Sequence, residues 1–264
     1  MSATRFTHAI ARRPAQSVVN GLRDNDRGNP TYSGVVAEHD AYIDALRAAG
    51  VDVTVLPALE EFPDSVFVED PALVFGEGTI LLNPGAKSRA GETPAIRADL
   101  EAAFDTVLSI DEGTAEGGDM MTTNDAVYIG LSERTNRAGA DATIAALAKL
   151  GRVGKIFDTP KGVLHFKSDC SLLDDETVLA THRLSGSTAF SGMKVIETPA
   201  GEEAAANALR VNEHLFVGSD FPRTIDMLDS AGFNVVTLPT TEIGKIDAGL
   251  SCMSLRWSRP SSRE

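Results

Sequence analysis

Cys252, in the segment GLSCMSLRW near the C-terminus, carries the strongest nucleophile type in this chain. Its thiolate is the reactive form, and the nearby Gly249 lets a backbone or a ligand approach closely. A free cysteine on a strand that reads as buried is equally at home as a small core side chain. Cys170, in the alternating run KSDCSLL, has no such context and reads as core. His165, in VLHFKSD, stands at the expected start of a strand after a glycine-containing turn. An imidazole there can serve as a general acid and base, or simply be a partly exposed strand histidine. His8, His39, His182 and His214 have no thiol or charged constellation around them and read as structural or exposed.

Two acidic segments could hold a cation. In EEFPDSVFVEDP, a strand reading places Asp64, Val66, Val68 and Asp70 on one face, with Ser65, Phe67 and Glu69 on the other. An acid on an apolar strand is costly unless it meets a cation or a donor. In GTAEGGDMM, Gly113, Gly117 and Gly118 allow a tight turn that presents Glu116 to a ligand; the segment reads equally as an ordinary glycine turn with Asp119 bonding local amides. Arg89, in NPGAKSRAGE, and Arg134, in GLSERTN, lie on loops after strands, where a guanidinium can grip a carboxylate in a bidentate fork. Neither a phosphate-cradling nor a dinucleotide glycine motif is present. No pair of histidines has metal-ligand spacing and CxxC is absent, so neither metal nor organic cofactor is expected.

These residues need a scaffold, and the chain reads as one unit repeated. Short strands in SVFVED, ALVF and GTILLN, a helix in GETPAIRADLEAAF and the strand DTVLSI make the first. Thr93 is the expected helix cap there, with Pro94 at the first helical position. The second runs through GGDMMTT, AVYIGL, a helix from Thr135 and KIFDTP. The third has LHFKSDCSLL, ETVLATH, an undefined middle and KVIETP. The fourth has NALRVN, HLFVGS, a helix from Pro222 and NVVTLP. The fifth is assembled from both chain ends: GLSCMSLRW, FTHAIA, a helix around Val36 to Leu46, and VDVTVLP. Four returning strands end in proline, at Pro57, Pro160, Pro199 and Pro239, which stops pairing and sets a turn. Five units of roughly 45 residues suit a closed ring of blades, an α/β propeller of ββαβ units closed by the two chain ends. An unrepeated α/β fold has similar spacing. One catalytic domain over 1–257 and a frayed tail over 258–264 are expected. Residues 23–32, polar and glycine-containing, read as a loop that can act as a lid.

The 264 residues are 42% hydrophobic and 23% charged, with a net charge of −14, which excludes wholesale disorder. The acidic balance disfavours nucleic acid and anionic membrane as partners and suits a cationic small molecule. No apolar run reaches the roughly 20 residues of a membrane span. MSATRFTHAIARRP lacks an apolar core, so a cytoplasmic location with two reduced thiols is expected.

FPDSVFVEDP, NPGAKSRAGE, the EGGD element, YIGLSERTN, VLHFKS, FPRT and GLSCMSL, in this order, resemble the dimethylarginine dimethylaminohydrolase family within the guanidine-modifying (pentein) superfamily. The resemblance implies a five-bladed α/β propeller. It also implies hydrolysis of asymmetric dimethylarginine or monomethylarginine to citrulline and an amine, through a covalent cysteine thiouronium and without a cofactor. By the same resemblance Cys252 is the nucleophile, His165 the general acid and base, and Glu116 its acidic partner. Asp70 with Glu69 binds guanidinium nitrogens, Arg89 and Arg134 take the α-carboxylate, and Asp64 with the Leu22 backbone takes the α-amino group, with Phe67 beside them. Ala90 and Asn83 depart from the arginines that many relatives carry. LHFK in place of the HLD type of arginine deiminases favours a methylated substrate. The rivals are another guanidine hydrolase such as an arginine deiminase, and a non-catalytic binding protein for cationic amino acids. A papain-like protease is disfavoured by the order of its histidine and cysteine. A homodimer is compatible with the resemblance.

Overall fold

A computed structural model describes residues 2–259. After β1 (His8–Arg12), α1 (Tyr32–Ala48) and β2 (Asp52–Leu56), the chain makes four successive units. These are β3 (Ala72–Phe75), β4 (Gly78–Leu81), α2 (Glu92–Ala103) and β5 (Val107–Ser109); β6 (Met120–Thr122), β7 (Val127–Leu131), α3 (Arg137–Lys149) and β8 (Gly154–Asp158); β9 (Cys170–Leu172), β10 (Thr177–Ala180), α4 (His182–Ser185) and β11 (Lys194–Glu197); and β12 (Leu209–Val211), β13 (His214–Gly218), α5 (Pro222–Ser230) and β14 (Val235–Leu238). After α6 (Thr241–Gly244), β15 (Leu255–Trp257) returns to pair antiparallel with β1, which pairs parallel with β2. Every sheet has three strands, one antiparallel and one parallel pairing. The parallel pair requires a crossover, and the helix supplies it. Pro57, Pro160, Pro199 and Pro239 each fall just past the last strand of a unit, where no ladder donor is needed.

The ring is closed by packing across its seams. Among the described residues there are five core clusters, each shared by two neighbouring units. Leu73 and Ile80 pack with Met120, Ile129 and Leu147; Met121 packs with Cys170 and Phe190; Leu173 and Leu179 pack with Leu215 and Val217. Tyr42 and Leu46 join Val211 and Phe216, and Leu255 and Trp257 join Leu81 and Leu100. A three-stranded unit cannot bury both faces alone, so each depends on the next. Tyr42 Oη to Ser254 Oγ, 2.6 Å and buried, ties the last seam.

Several local expectations are corrected. Residues 64–71 are not a strand but consecutive turns, with Ser65 N donating to Phe62 O at 3.0 Å and Phe67 N to Asp64 O at 2.9 Å. The turns let Asp64, Glu69 and Asp70 each find its own donors, which flat alternation would not. Helix α2 starts at Glu92 with Gly91 before it, because Arg89 engages Glu92; Thr93 instead donates its hydroxyl to Leu82 O at 2.8 Å. Helix α3 starts at Arg137 rather than Thr135, since Asn136 accepts from Gly139 N at 2.9 Å as its cap. The expected tail is held at its first two residues, with Ser258 Oγ donating to Arg5 O at 2.7 Å and Arg259 N to Thr7 Oγ1 at 3.3 Å. Its remainder lies outside the described residues. No helix among the described residues is long and apolar enough to cross a membrane.

Candidate active site

The loops at one end of the ring bring together Leu22, Asp64, Phe67, Asp70, Arg89, Arg134, His165 and Cys252 around a cleft of 40 Å³. Cys252 lies not on a buried strand but in a 3₁₀ turn, Leu250–Met253, and is half-buried. The turn is shaped by Asn207, whose Oδ1 accepts from Ser251 N at 3.0 Å and whose Nδ2 points at Cys252 Sγ at 3.8 Å. A Cβ on Gly249 would lie 2.4 Å from Asn207 Cγ, so glycine is what admits that side chain. Burial, then Glu69 and Asp70, push the thiol up to about 11.

His165 precedes the 3₁₀ turn Phe166–Ser168 instead of opening a strand. That turn is anchored by Asp119, which accepts from Phe166 N at 2.8 Å and from Ser132 Oγ at 2.6 Å. Asp119 therefore bonds a distant amide, and it steers the imidazole. His165 Nε2 meets Glu116 Oε2 at 2.6 Å. Glu116 is fully buried, and its Oε1 accepts from Gly85 N at 2.9 Å and Ala86 N at 3.2 Å, with Arg134 Nη1 at 3.6 Å. Burial works against a charged imidazole, but Asp70, the Glu116 hydrogen bond and Asp119 outweigh it and raise His165 to about 9. Burial likewise opposes charge on Asp70, yet Arg89 and His165 hold it below the ordinary carboxylate range. The resting pair is thus an imidazolium and a protonated thiol.

The two adjacent acids separate. Asp70 faces the cleft, its Oδ1 accepting from Gly118 N at 2.9 Å and its other oxygen paired with Arg89. Glu69 does not line the cleft: Ser251 Oγ at 3.0 Å, Arg256 Nη2 at 3.1 Å and Lys167 Nζ at 2.5 Å hold it on the far side. The expected pairing of Asp70 with Glu69 is not formed at the cleft; the acid grouped with Asp70 and His165 is the fully buried Glu116, behind the imidazole. Arg89 is buried rather than on an open loop. Glu92 holds it through Nε at 3.0 Å and Nη2 at 2.7 Å, and Phe67 O accepts from Nη2 at 3.0 Å. Arg134 lines the same cleft. Asp64 accepts from Leu22 N at 2.9 Å. Ala90 is exposed, and Asn83 brackets the turn before Glu116 through Ile110 O at 3.3 Å and Gly113 O at 3.4 Å. Sequence reasoning did not single out Asn207, Ser132 or Glu92.

Asp70, Glu116 and His165 offer ligand atoms within 4.8 Å of one another, the spacing a cation needs. Two carboxylates beside an arginine grip also suit an organic cation bearing a carboxylate. Gly118 is required here: a Cβ would lie 2.7 Å from the His165 ring and 2.9 Å from Asp70 Oδ1. Gly118→Ala is expected to destabilise by about 1–3 kcal/mol, measured by thermal melts.

A sequence model described as N,N dimethylarginine dimethylhydrolase, eukaryotic, matches residues 16–155. N(G),N(G)-dimethylarginine dimethylaminohydrolase of Pseudomonas aeruginosa is 42% identical over 254 residues, covering 96% of this chain and 100% of the relative. The enzyme of the same name from Streptomyces coelicolor is 31% identical over 94% of this chain and 96% of its own. A solved structure of a cysteine-to-serine mutant of the Pseudomonas aeruginosa enzyme complexed with citrulline superposes with a TM-score of 0.92, at 42% identity, over 96% of this chain and 99% of that one. The N-terminal domain of ArgZ, an arginine dihydrolase from cyanobacteria, shares the fold at a TM-score of 0.84 and 20% identity, over 96% of this chain and 99% of that one.

Proposed function

We propose that this chain, which belongs to the dimethylarginine dimethylaminohydrolase family, hydrolyses Nω-methylated L-arginine to L-citrulline and dimethylamine or methylamine with Cys252 as nucleophile. The observation that carries the residue assignment is one cleft lined by the Cys252 thiol, the His165 imidazolium, Asp70 and two arginines, with the buried Glu116 bonded to that imidazole. A cysteine-to-serine mutant of the Pseudomonas aeruginosa relative has been captured with citrulline.

The guanidinium is a poor electrophile, and carboxylates on its nitrogens fix its central carbon against sulfur. Asp70 and Glu116 take that part. Arg89 occupies the outer oxygen of Asp70, so the substrate shares it or displaces Arg89. A bound cation offsets the burial and the negative charges that hold the thiol protonated, and the thiol loses its proton to solvent on binding. The thiolate forms a C–S bond. Collapse breaks the bond to the methylated nitrogen, which leaves as an amine carrying the His165 proton. Neutral His165 then takes one proton from water as the water attacks the thiouronium carbon; the resulting hydroxyl gives its remaining proton to solvent as the C–S bond breaks, which releases citrulline and thiolate and leaves His165 an imidazolium again. Glu116 keeps the imidazole oriented through both transfers.

A cleft of 40 Å³ has room for a few waters rather than an amino acid, so it opens for substrate. The 22–31 segment is the cover: Asp24 N and Asn25 N donate to Asp247 Oδ2 at 2.6 and 3.3 Å, and Asp247 sits at a φ of 52°. Asp247→Gly removes the latch and suits that φ. It is expected to raise KM several-fold at nearly constant Tm, measured by steady-state kinetics and melts.

Two reduced thiols also support a cytoplasmic location. The function is tested by citrulline formation from asymmetric dimethylarginine, monomethylarginine, arginine and agmatine. Preferred turnover of the methylated arginines supports the reading. A preference for arginine moves the enzyme to the deiminases, and no product from folded protein overturns it.

A further inference from the structure

The opposite end of the ring holds a second, larger cavity, of 190 Å³, that the chemistry above does not use. Its walls come from β3, β6, β9, β12 and β15, the first strand of each of the five units, so it is an axial pit rather than a groove between two units. The Glu69 side chain and the turn around Ser251 lie between it and the cleft, Glu69 N donating to Cys252 O at 3.2 Å.

The charge of this pit is opposite to that of the chain. Among the described residues, five cations line it, Arg5, Arg152, Lys167, Arg210 and Arg256, against one carboxylate, Glu69. Lys167 and Arg256 share Glu69. Arg5 and Arg210 share Glu213, at 2.5 and 3.7 Å, and Arg152 pairs with Glu77 at 2.9 Å; neither acid lines the pit. Counting those outer partners, five cations meet three carboxylates. A protein with a net charge of −14 keeps an uncompensated positive pit on its axis. Concave low-dielectric walls focus such a field. Leu73, Phe75, Met121, Leu209 and Trp257 add an apolar lining, which suits a ligand with one charged end and one apolar end.

We propose that this axial pit is a binding site for a small organic anion, a carboxylate or phosphate ester with an apolar portion, separate from the cleft at Cys252. Two arginines at the pit, Arg5 and Arg210, take the anionic end together with Lys167.

The test is calorimetric titration of the full chain with phenyl phosphate. One salt-sensitive site is expected in the wild type. The double variant Arg5→Gln/Arg210→Gln should weaken it about tenfold or more, and Arg134→Gln, which alters the cleft, should leave it unchanged. Inorganic phosphate should compete. No binding at millimolar phenyl phosphate overturns the proposal. So does binding lost with Arg134→Gln, which places the anion in the cleft, or binding untouched by the double variant. Competition by benzyl alcohol but not by phosphate also overturns it, leaving only an apolar pocket. The two exposed or edge arginines are chosen so that folding survives; melts of the double variant verify this, and Lys167→Met provides a second, independent loss of charge at the pit.

Discussion

Cys252→Ser is expected to abolish citrulline formation, lowering kcat by roughly 10⁴-fold or more. The serine hydroxyl would need a base at its side. His165 is raised to about 9 by Asp70, Glu116 and Asp119 against its burial, so near pH 7 it holds a proton and cannot take another. A thiol escapes this difficulty because it ionises without a partner once a cation sits beside it. The free thiol, held at about 11, should alkylate slowly with iodoacetamide at neutral pH and faster as pH rises. A saturating guanidinium ligand too small to block the sulfur should accelerate alkylation at fixed pH. In the wild type, rapid quenching under turnover should trap a mass adduct on Cys252. Retention of more than about one per cent of activity in the serine variant would remove cysteine from the nucleophile's role.

Glu116→Gln should lower kcat/KM by about 10²- to 10⁴-fold while sparing the fold. The amide still accepts from Gly85 N and Ala86 N, but it no longer orients a charged imidazole. The pKa of His165 should fall part of the way from about 9 towards its ordinary 6.5, because Asp70 and Asp119 remain. The alkaline limb of the rate profile should shift down with it, a change that a merely structural role would not produce. Stability carries the same signature. The imidazole's pKa is raised on folding, so its contribution is complete below about pH 6.5 and is lost as pH climbs through about 9. Its size is on the order of 3 kcal/mol. Melts of the wild type should therefore decline over that window, and those of E116Q should decline less. Parallel pH curves for the two proteins would show that the Glu116–His165 pair does not set the imidazole's charge.

Much of the site is legible in the residues. GTAEGGDMM places glycines where backbone must pass close, and Gly118 lies against both the His165 ring and Asp70. Arg134 does line the cleft, and Cys170 is core, its Sγ donating to Phe166 O at 3.3 Å. Other partners are not legible, because they are far apart along the chain. Asp119 reaches an amide 47 residues away, Asn207 an amide 44 away, and Glu69 a hydroxyl 182 away. No local spacing encodes such pairs. The strand read over Ser65 to Asp70 failed for a related reason: alternation of apolar and acidic residues is also what a buried run of turns looks like when each acid has a donor elsewhere.

Two kinds of information divide here. The periodic unit is written in the residues, because strand, helix stripe and terminal proline are local steric and hydrophobic preferences. So are the reactive groups available, a thiol, an imidazole, carboxylates and guanidiniums, because these are properties of residue type. The tertiary structure alone decided which of two neighbouring acids faces the cleft: the Gly118 amide and Arg89 draw Asp70 inward, while Ser251, Lys167 and Arg256 hold Glu69 on the far side. It alone decided the resting protonation of Cys252 and His165. Coulomb interactions and desolvation act through space and burial, and only closing the ring brings those charges within a few ångströms of one another.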